Sequence, residues 1–398
     1  MRAALIAIAW MASLAHAAPE EAILGKGEGY PVCPPAVLVE VRCLVGEVSR
    51  RDEVYPSRKV AKAATPRALQ RAAEPDLRYR YQGEERDIDG YLANHRVTGL
   101  VIAKGDAILV ERYQYDRTPQ HRMTSHSMAK TVVAMLVGIA MAEGSIGSID
   151  DRVDRYVPQL AGTAYGETRI RHLLSMSSGI RFSEVYSGTD DVATLGRRSL
   201  LGESEGGVAT VTPFNTRERE PGAKFSYSSA DTQVLGLVLR AATGKPLADY
   251  LSEKIWQPMG AEADATWIVD KGGYETAFTG INATVRDYAR LGLLLANDGA
   301  LDGRAIIPAA WVRSATTPPA KQFEPGATSM SPLFGYGYQT WILAGSAREF
   351  ALRGVRSQLI LVNPGAKLVM VQTAAGNMGE PVGEALSLWL AVTRRFAN

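Results

Sequence analysis

Ser127-Met128-Ala129-Lys130-Thr131-Val132-Val133-Ala134-Met135-Leu136-Val137-Gly138-Ile139-Ala140-Met141-Ala142 carries both a structural and a chemical signal. From 131 to 142 it is apolar on every face, the pattern of a helix buried all round. Its first four residues fit S-x-x-K. That match means little alone, because 24 Ser and 11 Lys among 398 residues give roughly 0.7 chance matches per chain. Position adds weight: three residues apart at a helix start, Ser127 and Lys130 share a face. A hydroxyl is a weak nucleophile until a base takes its proton, and an amine is such a base only when its pKa is pulled well below the free value. Burial by the apolar helix and the positive end of its dipole both act on Lys130 in that direction, and the same N-terminal amides can hold an oxyanion. The structural alternative for these residues is a helix cap and a lysine whose stem runs out to solvent.

Outward from this helix the pattern is regular from residue 87. A short helix over 87–96 precedes Gly99-Leu100-Val101-Ile102-Ala103, a Lys104-Gly105-Asp106 turn and Ala107-Ile108-Leu109-Val110-Glu111, which read as a hairpin. The stretch to about 300 reads as mainly helical, punctuated by Gly179, Gly206-Gly207 and Pro221-Gly222. Strands return over 350–354, 358–362 and 367–373, with an Asn363-Pro364-Gly365 turn, and a helix over 382–396 follows. Strands near both termini with helices between predict an α/β (α+β) fold: one antiparallel sheet formed from both termini and flanked by helices, with an inserted mainly helical subdomain.

Arg2, the apolar run over 3–11 and Ala15-His16-Ala17 form a signal-peptide pattern over 1–17, with cleavage expected after Ala17 and a periplasmic or secreted product. The apolar run is shorter than the ~20 residues of a membrane span. An oxidising setting favours a disulfide between the two cysteines, Cys33 and Cys43. Residues 18–66 are rich in Pro and Arg without a sustained period and read as an extended arm with solvated arginines, ahead of one domain over 67–398. Gly25-Lys26-Gly27-Glu28-Gly29 is followed by Tyr30-Pro31 where a phosphate loop would open a helix, so it reads as a turn.

Composition excludes several chemistries. With 44 Lys and Arg against 42 Asp and Glu the net charge is +2, which argues against nucleic acid as a partner. Five His and two Cys without HExxH or CxxC spacing argue against a metal site, and no cofactor is expected. Gly202-Glu203-Ser204-Glu205-Gly206 fits G-x-S-x-G, yet that nucleophile elbow needs a histidine downstream and the last one is His172. Ser204 therefore reads as a surface-loop residue. Asp190-Asp191 has no second acidic site in a glycosidase or protease relation to it.

Pro221-Gly222-Ala223-Lys224-Phe225-Ser226-Tyr227-Ser228-Ser229 is a turn, an extended piece and a helix start. Beside a lysine, the Tyr227 hydroxyl can pass a proton to a leaving group; read by itself, Tyr227 is a packing residue. Taken together, Ser127-x-x-Lys130, this tyrosine segment about a hundred residues on, and a Gly-bearing strand near the C-terminus resemble the serine hydrolases of the penicillin-binding-protein and class C β-lactamase fold, in the branch of 6-aminohexanoate-dimer hydrolase and related esterases. His172-Leu-Leu-Ser-Met-Ser-Ser-Gly179, Phe182-Ser-Glu-Val-Tyr186, Ala283-Thr-Val-Arg-Asp-Tyr-Ala-Arg-Leu-Gly292 and Gly354-Val-Arg-Ser-Gln358 support it, over about 85–398.

The resemblance implies Ser127 as nucleophile, Lys130 as base, Tyr227 as proton shuttle, and an oxyanion hole from the backbone N–H groups of Ser127 and Val355. It implies substrate contacts from Tyr186, Ser229, Gly354, Arg356 and Gln358, and a small ester or amide as substrate. Ser229 stands where β-lactamases have the Asn of Y-x-N, and Leu352-Arg353-Gly354 lacks the Lys of K-T-G. Strand alternation puts Arg356 on the face of Leu352 and Gly354 as a replacement charge. Ser357 stands where the branch usually has Gly. A β-lactamase or D-alanyl peptidase, and an inactive binding protein of the same fold, are the rival readings.

Overall fold

The computed structural model describes residues 17–36, 38–328, 332–380 and 382–396, so the leader expected over 1–17 lies outside the described residues except for Ala17. Eight strands build the large sheet: β1 (Gln70–Arg71), β2 (Val97–Lys104), β3 (Ala107–Tyr113), β4 (Phe334–Tyr336), β5 (Trp341–Leu343), β6 (Phe350–Gly354), β7 (Gln358–Asn363) and β8 (Leu368–Ala374). Their spatial order is β4-β5-β6-β7-β8-β2-β3-β1. Strands from the two ends of the chain therefore meet at the β8–β2 pair, with Val371 opposite Val101. The pairs are antiparallel except β1 with β3, which is parallel.

Six helices matter for the site: α1 (Leu44–Ser49), α2 (Met128–Ala142), α3 (Asp191–Leu200), α4 (Ser229–Thr243), α5 (Val285–Ala296) and α6 (Gly383–Phe396). Strand alternation sorts the side chains between two cores. Val101, Ile360, Val369 and Val371 join the core that holds α2, α4 and α5, whereas Leu100, Ile102, Leu359 and Met370 pack with Leu388, Trp389 and Val392 of α6. With both faces covered, the strands are continuous apolar runs, which is why they were readable in sequence. Gly292 lets α5 lie close on the sheet: a Cβ there would stand 2.6 Å from Val369 Cγ1.

The region read as mainly helical also holds strand. Ser57–Val60, Ala265–Ile268, Ile281–Ala283 and Met123–Thr124 form a second, antiparallel sheet in that order. Strands of two to four residues are too short to impose a visible period. The arm expected to be extended supplies the first of these strands and also α1, whose Leu44, Val45 and Val48 share a core with Leu24, Tyr30 and Tyr115. Its arginines are not all solvated, since Arg51 is buried in an ion pair with Glu47 at 2.8 Å. Cys33 and Cys43 are bonded to each other, their Cα atoms 5.7 Å apart. Among the described residues no helix is long and apolar enough to cross a membrane.

Candidate active site

The second sheet aims the chain at the start of α2. Ser125 N–H donates to the Ile281 carbonyl at 2.7 Å, and His126 turns the backbone with φ of +41°. Ser127 follows, and its side chain caps no helix amide. Its Oγ instead accepts from Lys130 Nζ at 2.8 Å, and Nζ also donates to the Phe278 carbonyl at 3.1 Å. Lys130 is 1% exposed, so its stem does not reach solvent. Burial brings its ammonium down to about 8, with the Glu184 charge acting the other way.

Tyr227 completes a triangle with these two. Lys130 Nζ lies 5.0 Å from its ring centroid. The extended piece carrying Tyr227 is held by Ser226 N–H on the Met176 carbonyl at 2.7 Å. The ring stacks on Trp341 at 5.5 Å and meets Tyr336 edge-on at 6.1 Å. Burial pushes the Tyr227 phenol far up and the Glu184 charge adds to this, while a hydrogen bond with the Ser127 side chain and the Arg353 charge pull it back. The phenol therefore stays neutral and keeps its proton. Arg353 lies over the Phe334 ring at 4.2 Å and the Trp341 ring at 4.9 Å, and burial brings its guanidinium down to about 10.

Val355 opens the β6–β7 turn. Neither its backbone N–H nor that of Ser127 has an acceptor among the described residues, and both residues line one cleft. Gly354 makes the approach possible, because a Cβ there would stand 2.6 Å from the Ser125 carbonyl oxygen and 2.9 Å from His126 Cβ. The turn places Arg356 and Ser357 at φ of +61° and +64°, the left-handed region that glycine enters freely. A glycine at 357 thus answers to backbone conformation.

The cleft, about 160 Å³, is lined by Ser127, Glu184, Tyr186, Ser229, Val355 and Arg356 among others. Tyr186 Oη donates to Glu184 Oε1 at 2.8 Å, and Ser229 gives Glu184 both its N–H at 2.8 Å and its hydroxyl at 2.9 Å. Glu184 thereby fixes the tyrosine and the start of α4 together, a carboxylate at the positive end of a helix. It lies between Phe182 and Tyr186, but no spacing ties it to Ser229, so sequence reasoning missed it. The aromatic box of Phe334, Tyr336 and Trp341 was missed for the same reason.

Three sequence expectations change. Gln358 is fully buried: its Nε2 donates to the Arg356 and Ala374 carbonyls at 3.0 and 2.6 Å and its Oε1 accepts from Ala374 N–H, so it ties the turn to β8 and does not face the cleft. Arg356 lines the cleft from a turn, since β6 ends at Gly354 and strand alternation does not extend to it; its guanidinium donates to the Gly376 carbonyl at 3.1 Å. Ser204 is buried rather than on the surface, donating to the Arg198 carbonyl at 2.9 Å. Among the described residues the one group of metal-ligand type is Cys33, Glu40 and Cys43, whose two sulfurs are bonded to each other.

The chain is similar to several known hydrolases. The 6-aminohexanoate-dimer hydrolase of Paenarthrobacter ureafaciens is 29% identical over 335 residues, 82% of this chain and 81% of that protein. Esterase EstB of Burkholderia gladioli is 31% identical over 194 residues, 43% of this chain and 48% of its own. A solved Bacillus anthracis structure named "putative 6-aminohexanoate-dimer hydrolase" superposes with a TM-score of 0.80 at 21% identity, over 89% of this chain and 94% of that one. The pattern of the Beta-lactamase family matches residues 85–392, which take in the Ser127–Lys130 pair, Tyr227 and the β6–β7 turn, and the chain belongs to that family.

Proposed function

We propose that this protein is an exported serine hydrolase that cleaves ester or amide bonds of small substrates through an acyl-enzyme on Ser127. The observation that carries the reading is the 2.8 Å bond from a buried Lys130 Nζ to Ser127 Oγ. With its pKa brought down to about 8, roughly a tenth of the amine is unprotonated at pH 7 and half at pH 8, and this free amine can accept the serine proton.

Ser127 Oγ attacks the substrate carbonyl carbon as its proton passes to Lys130. The carbonyl oxygen takes up the negative charge between the N–H groups of Ser127 and Val355, an arrangement worth a factor of about 10²–10³ per donor in acyl transfer. As the bond to the alcohol or amine breaks, Tyr227 gives the departing atom its proton and is refilled from the Lys130 ammonium. Water then attacks the acyl-enzyme, returning its proton by the reverse route and freeing Ser127. Relatives named 6-aminohexanoate-dimer hydrolase and Esterase EstB support the bond classes. The leader pattern and the Cys33–Cys43 bond support export.

A fluorophosphonate probe followed by digestion tests this reading. The adduct is expected on the peptide containing Ser127, and no adduct on that peptide overturns the proposal. Turnover of a chromogenic cephalosporin is expected to be slow beside that of short nitrophenyl esters. Leu352, in the place of the cationic Lys of β-lactamases, is wholly buried in the core.

A further inference from the structure

We propose that the N-terminal arm forms one wall of the acyl pocket, and that the acyl part of the substrate is a short apolar chain lying between Leu38 of the arm and Gly196 of α3. Resting on the Ser127 reading above, this assigns a substrate-selecting role to a segment outside the residues matched to the family.

The cleft that begins at Ser127 runs between two apolar walls: Leu38 and Val39 from the arm, and Val192, Gly196 and Leu200 from α3. Leu38 is 68% exposed and belongs to no core cluster, yet it rests on Gly188, where a Cβ would stand 3.3 Å from Leu38 Cδ1. The bond between Cys33 and Cys43 closes the loop that presents it. On the opposite wall, a Cβ added to Gly196 meets no atom within 4 Å, so the space before this helix face is empty. At about 160 Å³ the cleft is smaller than the ~300–1,000 Å³ of pockets for drug-sized ligands, which suits a short chain.

Chemistry decides which half of the substrate lies there. Ser127 and Val355 line the cleft and Tyr227 does not. The leaving group has to lie within reach of the Tyr227 hydroxyl, so the side of the reacting carbon that faces the arm belongs to the acyl group. Apolar walls select by chain length, each buried methylene adding roughly fourfold to kcat/KM until the space is full.

The experiment compares 4-nitrophenyl acetate, butyrate, hexanoate and octanoate on the wild type, Gly196→Leu and Leu38→Ser. Gly196→Leu puts an apolar side chain into empty space on a helix, and Leu38→Ser alters an exposed side chain, so two independent variants probe the two walls. The readout is the hexanoate-to-acetate ratio of kcat/KM. It is expected to exceed 1 in the wild type, to fall at least tenfold in Gly196→Leu and three- to tenfold in Leu38→Ser, the latter through KM. Fluorophosphonate labelling of Ser127 is measured alongside in each protein. Labelling in all three with unchanged ratios overturns the acyl wall and leaves the Ser127 reading standing; absence of labelling in the wild type overturns both.

Discussion

Lys130 is the residue whose environment does the most unusual thing. It is wholly buried, its ammonium is brought down to about 8, and its Nζ touches Ser127 Oγ and one carbonyl. The free amine therefore loses about tenfold in population for each pH unit below 8. The second-order rate of fluorophosphonate labelling is expected to rise about tenfold per unit between pH 5.5 and 7.5 and to level above 9; a flat profile would mean that another group is the base. Lys130→Ala is expected to lose at least 10³ of that rate at every pH. A second buried group titrates in the opposite sense. Burial pushes the Asp231 carboxyl up to about 7, against hydrogen bonds from Ser178 and Tyr165, and its Oδ2 has no partner. Raised above its ordinary 3.8, this carboxyl holds its proton more tightly in the native state than in the unfolded chain. Its contribution to stability is thus complete below pH 4 and lost as pH rises to about 7. Asp231→Asn is expected to shrink the difference in Tm between pH 5 and pH 8, which thermal melts at the two pH values measure.

At the scale of elements, the approach of β6 to the start of α2 is what sets the free N–H groups of Ser127 and Val355 beside one cleft. Gly354→Ala would push its Cβ into the Ser125 carbonyl, a backbone atom that cannot swing aside. Overpacking of this kind costs about 1–3 kcal/mol. The loss of activity should be larger, because one misplaced oxyanion donor is worth about 10²–10³ in kcat. We expect kcat on nitrophenyl acetate to fall by roughly that factor while Tm drops only a few degrees; equal effects on both would place Gly354 in folding alone. Ser357→Gly in the same turn relieves a left-handed residue and should stabilise by roughly 1 kcal/mol. These elements also mark how far the sequence could be read. Strands β2, β3 and β6–β8 and helix α2 were legible because burial on both faces or all round leaves continuous apolar runs. The Ser127–Lys130 pair was legible because its partners are three residues apart. Glu184, Trp341 and Arg353 were not, since their partners are 45, 114 and 126 residues distant in Ser229 and Tyr227 and only tertiary packing joins them.

For the molecule as a whole, the boundary expected at residue 67 cuts through structure that the large domain needs. Ser57–Val60 is the outer strand of the second sheet and pairs residue by residue with Ala265–Ile268. That sheet also contains Met123–Thr124, from which the chain enters the turn that carries Ser127. Asp52 accepts from Arg122 Nε at 2.7 Å and from Thr266 Oγ1 at 2.8 Å, tying the arm to the Ala265–Ile268 strand and to the residue that precedes Met123–Thr124. Above it, Leu44, Val45 and Val48 close a core on Tyr115 and Ala375 of the large domain. Burying each such aliphatic side chain is worth about 1.5–3 kcal/mol, and a whole domain retains only about 5–15 kcal/mol of net stability. A chain beginning at residue 67 would lose this core and would expose Ala265–Ile268 as an unpaired edge, open to pairing with other chains. It is therefore expected to aggregate on expression or to melt at least 10 °C below the full chain, and to label at Ser127 at least a hundredfold more slowly. The two measurements separate support from independence: a well-folded shortened chain with full labelling would show that the arm is an appendage, whereas loss of both would make residues 18–66 part of the catalytic domain itself.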